Sequence, residues 1–320
     1  MATVAARPAF RLFRTRIASI DASRPSLVRL ALTADSLEHF GRAGLDQRIK
    51  LVFPPYDDEA DAHLPMPDLG PEEFAEPTGM VQLYKSTMAL DTPPVWRTYT
   101  VRRIDPERRV LEVDLVLHGS TSPSARWLRG ARIGDELVVV GPDARSENSR
   151  SGIEWNPGSA RRILVAGDET ALPAIAGIAE SGTLPDATDS TVCIVVEAGD
   201  PADIEDFPIA PGWEVRRVIR GQGDTPGERL EAEVRALLEE RPGLLAHADG
   251  PPAEEGSGVP EGAEAVWDTA DSAVTTGSYA WLAGEAGAVT RLRRHLVRDL
   301  GVDKRAVSFM GYWKLGSAAS

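Results

Sequence analysis

Two short segments of this chain carry residue types suited to a phosphorylated, ring-bearing ligand. Arg97-Thr98-Tyr99-Thr100 alternates a guanidinium, an aromatic ring and hydroxyls within a strand-like run. A guanidinium grips a diphosphate through two parallel hydrogen bonds, as an ammonium does not, and a flat apolar ring system packs on an aromatic face. The same alternation also describes an ordinary solvated strand face. Gly167-Asp168-Glu169-Thr170 follows the apolar run Ile163-Leu164-Val165-Ala166 and leads into Ala171-Leu172-Pro173-Ala174. A strand-to-helix turn at the carboxyl end of a parallel sheet is where a nicotinamide dinucleotide lies, although Asp168 or Thr170 can equally cap the following helix. A second turn at that edge, Ala283-Gly284-Glu285-Ala286, puts Glu285 either at the nicotinamide or in the first turn of the last helix.

These residues need elements to hold them. Leu27–Leu32, Ile49–Phe53, Trp96–Arg103, Val110–His118 and Glu136–Val140 are strand-like, and Ser122 with Pro123 marks the start of a short helix. Short strands with one helix predict a six-stranded antiparallel β-barrel over residues 1–150. From residue 163 onward strands and helices alternate, which predicts an α/β parallel-sheet domain over residues 151–320. The Ser-, Asn-, Gly- and Pro-bearing stretch 143–159 is the expected linker. Residues 56–94 are acidic and proline-rich without a sustained period, and are expected to form an irregular insertion. Residues 247–278, acidic and rich in Gly and Pro, are expected to be a disordered or loosely packed loop.

Composition narrows the function classes. A chain of 320 residues fits two domains. With 49 acidic and 35 basic residues, the net charge of −14 opposes a nucleic-acid partner. Cys193 is the only cysteine, so an internal disulfide and a four-thiolate iron–sulfur cluster are both excluded. It lies in the apolar run Val192–Val196 and is expected to behave as a small hydrophobe. No histidine has metal-ligand spacing, and neither a nucleophile elbow nor a phosphate loop occurs. No run approaches the ~20 apolar residues of a membrane helix and the start lacks a signal pattern, so the expected setting is cytoplasmic.

In chain order, Arg97-Thr98-Tyr99-Thr100, His118-Gly119 with Ser122-Pro123-Ser124-Ala125-Arg126-Trp127, the Gly167–Ala174 run, and Leu282–Glu285 with Gly311-Tyr312-Trp313-Lys314-Leu315-Gly316 resemble the siderophore-interacting protein family. These are FAD-dependent ferric-siderophore reductases built on a ferredoxin-reductase-like plan. The resemblance runs from about Phe10 to Gly316 and implies an FAD-binding barrel followed by an NAD(P)H-binding domain. It implies Arg97 on the flavin pyrophosphate, Tyr99 on the isoalloxazine and Thr100 at the flavin edge. His118, Gly119, Ser122, Ser124 and Trp127 would surround the pyrophosphate at a helix N-terminus, although Ser122 and Ser124 replace the family's usual Gly and Ala. Asp168, Glu169, Thr170 and Glu285 would line the nicotinamide site, with Tyr312 and Trp313 near the flavin.

The implied activity is electron transfer from NAD(P)H through FAD to the ferric iron of a siderophore, with Fe(II) released from a monomeric protein. A general flavin or ferredoxin-type reductase, and a non-catalytic siderophore-binding module, are the alternatives. Lys50 matches a lysine typical of the family, and with Lys314 and Arg145 it would form a cationic pocket for the anionic ferric chelate, although Asp143 stands where the family's Gly-Pro-Arg would begin. No side chain is assigned a catalytic role beyond positioning, and no protein metal site is expected. For the donor, Glu197 after the second strand favours NADH. Arg216 and Arg217 on the next strand tilt the expectation towards NADPH.

Overall fold

The computed structural model describes residues 7–117, 122–182, 190–208, 211–245, 267–268 and 277–316. The chain divides between Ile153 and Glu154 into two compact units. In the first, β1 (Phe10–Asp21), β2 (Leu27–Thr33) and β3 (Arg48–Phe53) are followed by the small hairpin β4 (Tyr56–Asp57) and β5 (Ala62–His63). Then come α1 (Gly79–Met88), β6 (Val95–Asp105), β7 (Val110–Val116), α2 (Pro123–Gly130) and β8 (Glu136–Pro142). Six of these strands close an antiparallel barrel in the order β1-β2-β7-β6-β3-β8.

Sequence alternation dictates this closure. Val28, Leu30 and Leu32 on β2 and Leu111, Val113 and Leu115 on β7 recur at every second position and share one interior cluster with Phe13 and Leu51. Pairing of β1 with β8, from Phe10 opposite Pro142 to Arg16 opposite Glu136, leaves that side of the sheet no open edge.

The insertion before β6 is not irregular, which corrects the expectation for residues 56–94. Helix α1 places Met80 and Leu83 against Leu12, Val52, Trp96, Val138 and Val140 on the outer barrel wall. Its other large apolar residues, Val81, Tyr84 and Met88, stay exposed, and this mixture hides the helical period. Glu72 fixes the segment before α1 to β1 by accepting from Arg11 Nη2 at 2.7 Å and Arg14 N at 2.9 Å. The predicted linker is likewise tied down at Gly152. Arg48 N donates to Gly152 O at 2.8 Å, and Gly152 adopts φ +88°, where a Cβ would stand 2.8 Å from the Arg48 carbonyl oxygen.

The second unit contains β9 (Arg162–Gly167), α3 (Leu172–Glu180), β10 (Thr191–Ala198), β11 (Glu214–Ile219), α4 (Glu228–Glu240), β12 (Trp267–Asp268), β13 (Ser278–Glu285), α5 (Ala286–Arg294) and β14 (Val307–Trp313). Its sheet runs β11-β10-β9-β13-β14-β12. The first five strands are parallel, and β12 is antiparallel to β14. Ile163 to Ala166 are all buried because both faces of the sheet are covered, hence the unbroken apolar run. On α4, Leu230, Val234, Leu237 and Leu238 form the inward stripe and pack with Val289 and Leu292 of α5. Most of the loop expected at 247–278 lies outside the described residues; within it, Trp267–Asp268 form a strand rather than loose chain. Among the described residues, no helix is long and apolar enough to cross a membrane.

Candidate functional site

In the barrel, β3 and β6 pair so that Leu51 faces Arg97 and Ile49 faces Tyr99, with Phe53 opposite Val95. Val95, Arg97 and Tyr99 therefore share one face, and Thr98 and Thr100 lie on the other. Tyr99 is anchored by an edge contact with Phe53, ring centroids 6.4 Å apart, and by a hydrogen bond shared with the Ser124 side chain. Burial raises its phenol pKa above the usual value and outweighs that bond. Arg97 donates from Nη1 to the Trp96 carbonyl at 2.9 Å, and partial burial lowers its pKa.

Helix α2 starts beside Tyr99. Ser122 is its N-cap, accepting from Ala125 N at 3.3 Å, and Pro123 occupies the first turn. The backbone amides of such a turn attract anionic oxygens. Trp127 is 6% exposed and packs edge-on against Phe53 at 5.4 Å, which anchors α2 in the barrel core. Thr100 is buried on the face away from Tyr99, opposite Arg48. His118 and Gly119 lie outside the described residues.

A cavity of about 350 Å³ opens at the Val95 end of this face, against Pro123 and Arg126 of α2 and Tyr56, His63 and Pro93 of the insertion. Arg126 places its guanidinium 4.8 Å over the Tyr56 ring and donates to Asp58 Oδ1 at 2.5 Å. Both ring nitrogens of His63 are buried without a hydrogen-bond partner. Sequence reading missed this wall, because His63 falls in the stretch 56–94 expected to be an irregular acidic insertion. Only the β4–β5 pairing, too short to leave a sequence signal, sets His63 against Tyr56 at 4.8 Å.

FAD fits these residues. A half-buried guanidinium, an aromatic face, a helix N-terminus and a cavity with flat walls and unmet hydrogen-bonding capacity follow one another along one side of the barrel unit.

The expected substrate cations fare differently. Lys50 donates to Thr98 Oγ1 at 2.5 Å, and burial, followed by the nearby charges of Arg48 and Arg97, lowers its pKa. Arg145 grips Asp143 through Nε at 2.8 Å and Nη2 at 2.7 Å and meets Glu73 at 3.0 Å, so it is engaged with local acids. Lys314 is exposed in the second unit.

In that unit, Asp168 is 0% exposed. Its Oδ1 accepts from Thr170 N at 2.9 Å and Thr170 Oγ1 at 2.5 Å, and its Oδ2 from Glu285 N at 2.8 Å and Trp313 Nε1 at 2.8 Å. Burial, then the neighbouring Glu169, push its pKa up to about 6 against the pull of these donors. Gly284, at φ +145°, passes so close that a Cβ there would stand 2.6 Å from Asp168 Oδ2. Asp168 is the clasp that joins the β9 turn, the β13 turn and the end of β14.

Neighbouring charged residues are held in the same way. Glu285 Oε2 caps α5 by accepting from Ala288 N at 2.8 Å. Glu169, 2% exposed, is paired with Arg220. Glu197 is fully buried and caps α4, accepting from Gly227 N and Leu230 N at 2.8 Å each. Arg216 is enclosed by Glu214, Glu233 and Glu240, and Arg217 donates to the Ile204 carbonyl at 3.1 Å. Both arginines behind the NADPH expectation are thus engaged within the protein.

Comparison with known proteins agrees with this architecture. Residues 16–146 match the siderophore-interacting FAD-binding domain and residues 160–316 the siderophore-interacting protein model. An uncharacterised protein of Mycobacterium tuberculosis is 31% identical over 306 residues, covering 91% of this chain and 86% of its own. The ferric vibriobactin reductase of Vibrio cholerae is 23% identical over 291 residues, covering 91% and 85%. A siderophore utilization protein from T. fusca superposes with a TM-score of 0.65 at 25% identity, covering 99% of this chain and 98% of that one. The fold is ferredoxin-reductase-like, and the chain belongs to the siderophore-interacting protein family.

Proposed function

We propose that this protein is a cytoplasmic flavoenzyme that binds FAD on its barrel unit and uses electrons from NAD(P)H to reduce the ferric iron of a siderophore. One observation carries the reading: the Val95–Arg97–Tyr99 face continues past the start of α2 into a 350 Å³ cavity. The ferric-reductase name of the Vibrio cholerae relative adds support.

Arg97 would clamp the diphosphate, and the first turn of α2 would offer it backbone amides. Tyr99, held by Phe53 and Ser124, would present its ring to the isoalloxazine. The cavity would receive the adenosine half, a flat base matched to the Tyr56 and proline walls. Lys50, with the charges of Arg48 and Arg97 nearby, would draw an anionic ferric chelate against the global field. Bound FAD supplies the exchange between a two-electron donor and a one-electron acceptor.

The test is the visible spectrum of the purified protein, followed by anaerobic NADH or NADPH and then ferric siderophore, with Fe(II) trapped by a ferrous chelator. A flavin band, bleaching by a reduced nicotinamide and Fe(II) release support the reading. A colourless protein that binds ferric chelate would make it a binding module, and reduction of ferric chelates no faster than of free flavin would make it a general reductase.

A further inference from the structure

The carboxyl ends of β9, β10 and β11 meet at one edge of the parallel sheet, where ligands of such sheets bind. Just past β11, Arg220 reaches back across that edge. Its Nη1 donates to Glu169 Oε2 at 2.7 Å and to Glu197 Oε1 at 2.8 Å, and its Nη2 also binds Glu169. The side chains of Glu169 and Glu197 are 2% and 0% exposed, and that of Arg220 is 13% exposed. One guanidinium thus serves two buried carboxylates and is held within the network. Glu197 cannot leave the network cheaply, because it also caps α4 through Gly227 N and Leu230 N.

The neighbouring arginines are engaged elsewhere. Arg229 is paired with Asp224, which also accepts from Gly221 N at 2.6 Å. Arg216 and Arg217 stand four and three residues before Arg220, roughly 10–13 Å back along the strand. The loop after β10 adds the half-exposed Asp200.

A dinucleotide at such an edge sets its adenosine ribose beyond the second strand, where an acid suits a free 2′-hydroxyl and an arginine suits a 2′-phosphate. Here the arginine is already held by two carboxylates and is not open to a phosphate. We propose that the Glu169–Arg220–Glu197 network makes the second unit select the dinucleotide without the 2′-phosphate, NADH over NADPH. The proposal rests on the reading that this unit binds a reduced nicotinamide.

Calorimetric titration of the FAD-loaded protein with NAD⁺ and NADP⁺, alongside kcat/KM for NADH and NADPH, tests it. The wild-type protein is expected to favour the unphosphorylated form by about tenfold or more. In Glu169→Gln, where Arg220 loses one of its two counter-charges, that ratio should shrink about fivefold or more. A merely structural lesion would weaken both dinucleotides together and leave the ratio unmoved, and that result overturns the proposal. A wild-type preference for NADPH overturns it without any variant, so a Glu169→Gln protein that does not fold still leaves it testable. Binding of neither dinucleotide overturns the nicotinamide reading beneath it, while a strong preference for NADPH leaves that reading standing.

Discussion

The indole Nε1 of Trp313 donates to Oδ2 of Asp168 across 2.8 Å, joining the last residue of β14 to the first turn after β9. The same oxygen takes Glu285 N, so one carboxylate sets the spacing of three segments at the carboxyl edge of the sheet. Trp313→Phe keeps most of the ring and removes this donor. A hydrogen bond to a buried charged group is worth about 1.5–3 kcal/mol, so urea unfolding should show a loss of that order. A stability within a few tenths of a kcal/mol of wild type would mean that the indole contributes packing only.

Asp168 also gives a pH dependence of definite sign. Burial raises its folded-state pKa to about 6, above the value of about 3.9 expected in the unfolded chain. A raised folded pKa means that the native state holds the proton more tightly. The stability this contributes is complete below about pH 4 and is lost as pH rises through about 6. Between those limits the wild type should lose stability relative to Asp168→Asn, which cannot titrate. Parallel stability curves for the two proteins would show that the four donors, rather than burial, control this carboxyl.

The barrel and the parallel sheet were legible because both rest on period: alternation on β2 and β7, and the apolar run Ile163–Ala166. Arg97 and Tyr99 were legible because residues two apart on a strand must share a face. Asp168, Glu169, Glu197 and Glu285 were visible as acids at the right turns. Which way each carboxylate faces depends on donors from distant segments, such as Trp313 and Arg220, and no local pattern records those. Arg220 escaped notice because Arg216 and Arg217 looked like the cations of β11, whereas only the exact end of that strand shows which arginine reaches the edge. Helix α1 was missed because its buried stripe has little more than Met80 and Leu83 in it.

Arg97→Ala should weaken FAD binding. The proposed clamp on the diphosphate is a charge-assisted contact worth roughly 1.5–3 kcal/mol, equivalent to about 10- to 100-fold in Kd. Fluorescence titration of apoprotein with FAD measures this directly. Unchanged retention would move the diphosphate away from β6.

Cys193 is 1% exposed, and burial, followed by the charge of Glu214, pushes its thiol up to about 11. At neutral pH almost no thiolate exists there, and the thiolate is the reactive form. Native protein should resist thiol reagents until it unfolds, and Cys193→Ala should turn over within about twofold of wild type if packing is little disturbed. A folded, flavin-loaded variant without activity would refute this inert role.

Lys50 is the cation most open to a substrate test. Its ammonium is partly buried, bonded to Thr98 and crowded by the charges of Arg48 and Arg97, all of which lower its pKa or fix its position. A partly desolvated cation attracts an anion more strongly than a fully hydrated one, and it is screened less by salt. Lys50→Glu exchanges that attraction for repulsion. KM for an anionic ferric siderophore should rise, most steeply at low ionic strength, while turnover of a small neutral quinone stays nearly constant. The neutral acceptor serves as the internal control, because damage to the barrel or to flavin binding would slow both reactions. Equal losses on the two acceptors, or none on either, would remove Lys50 from substrate recognition and leave the FAD assignment to be decided by Arg97.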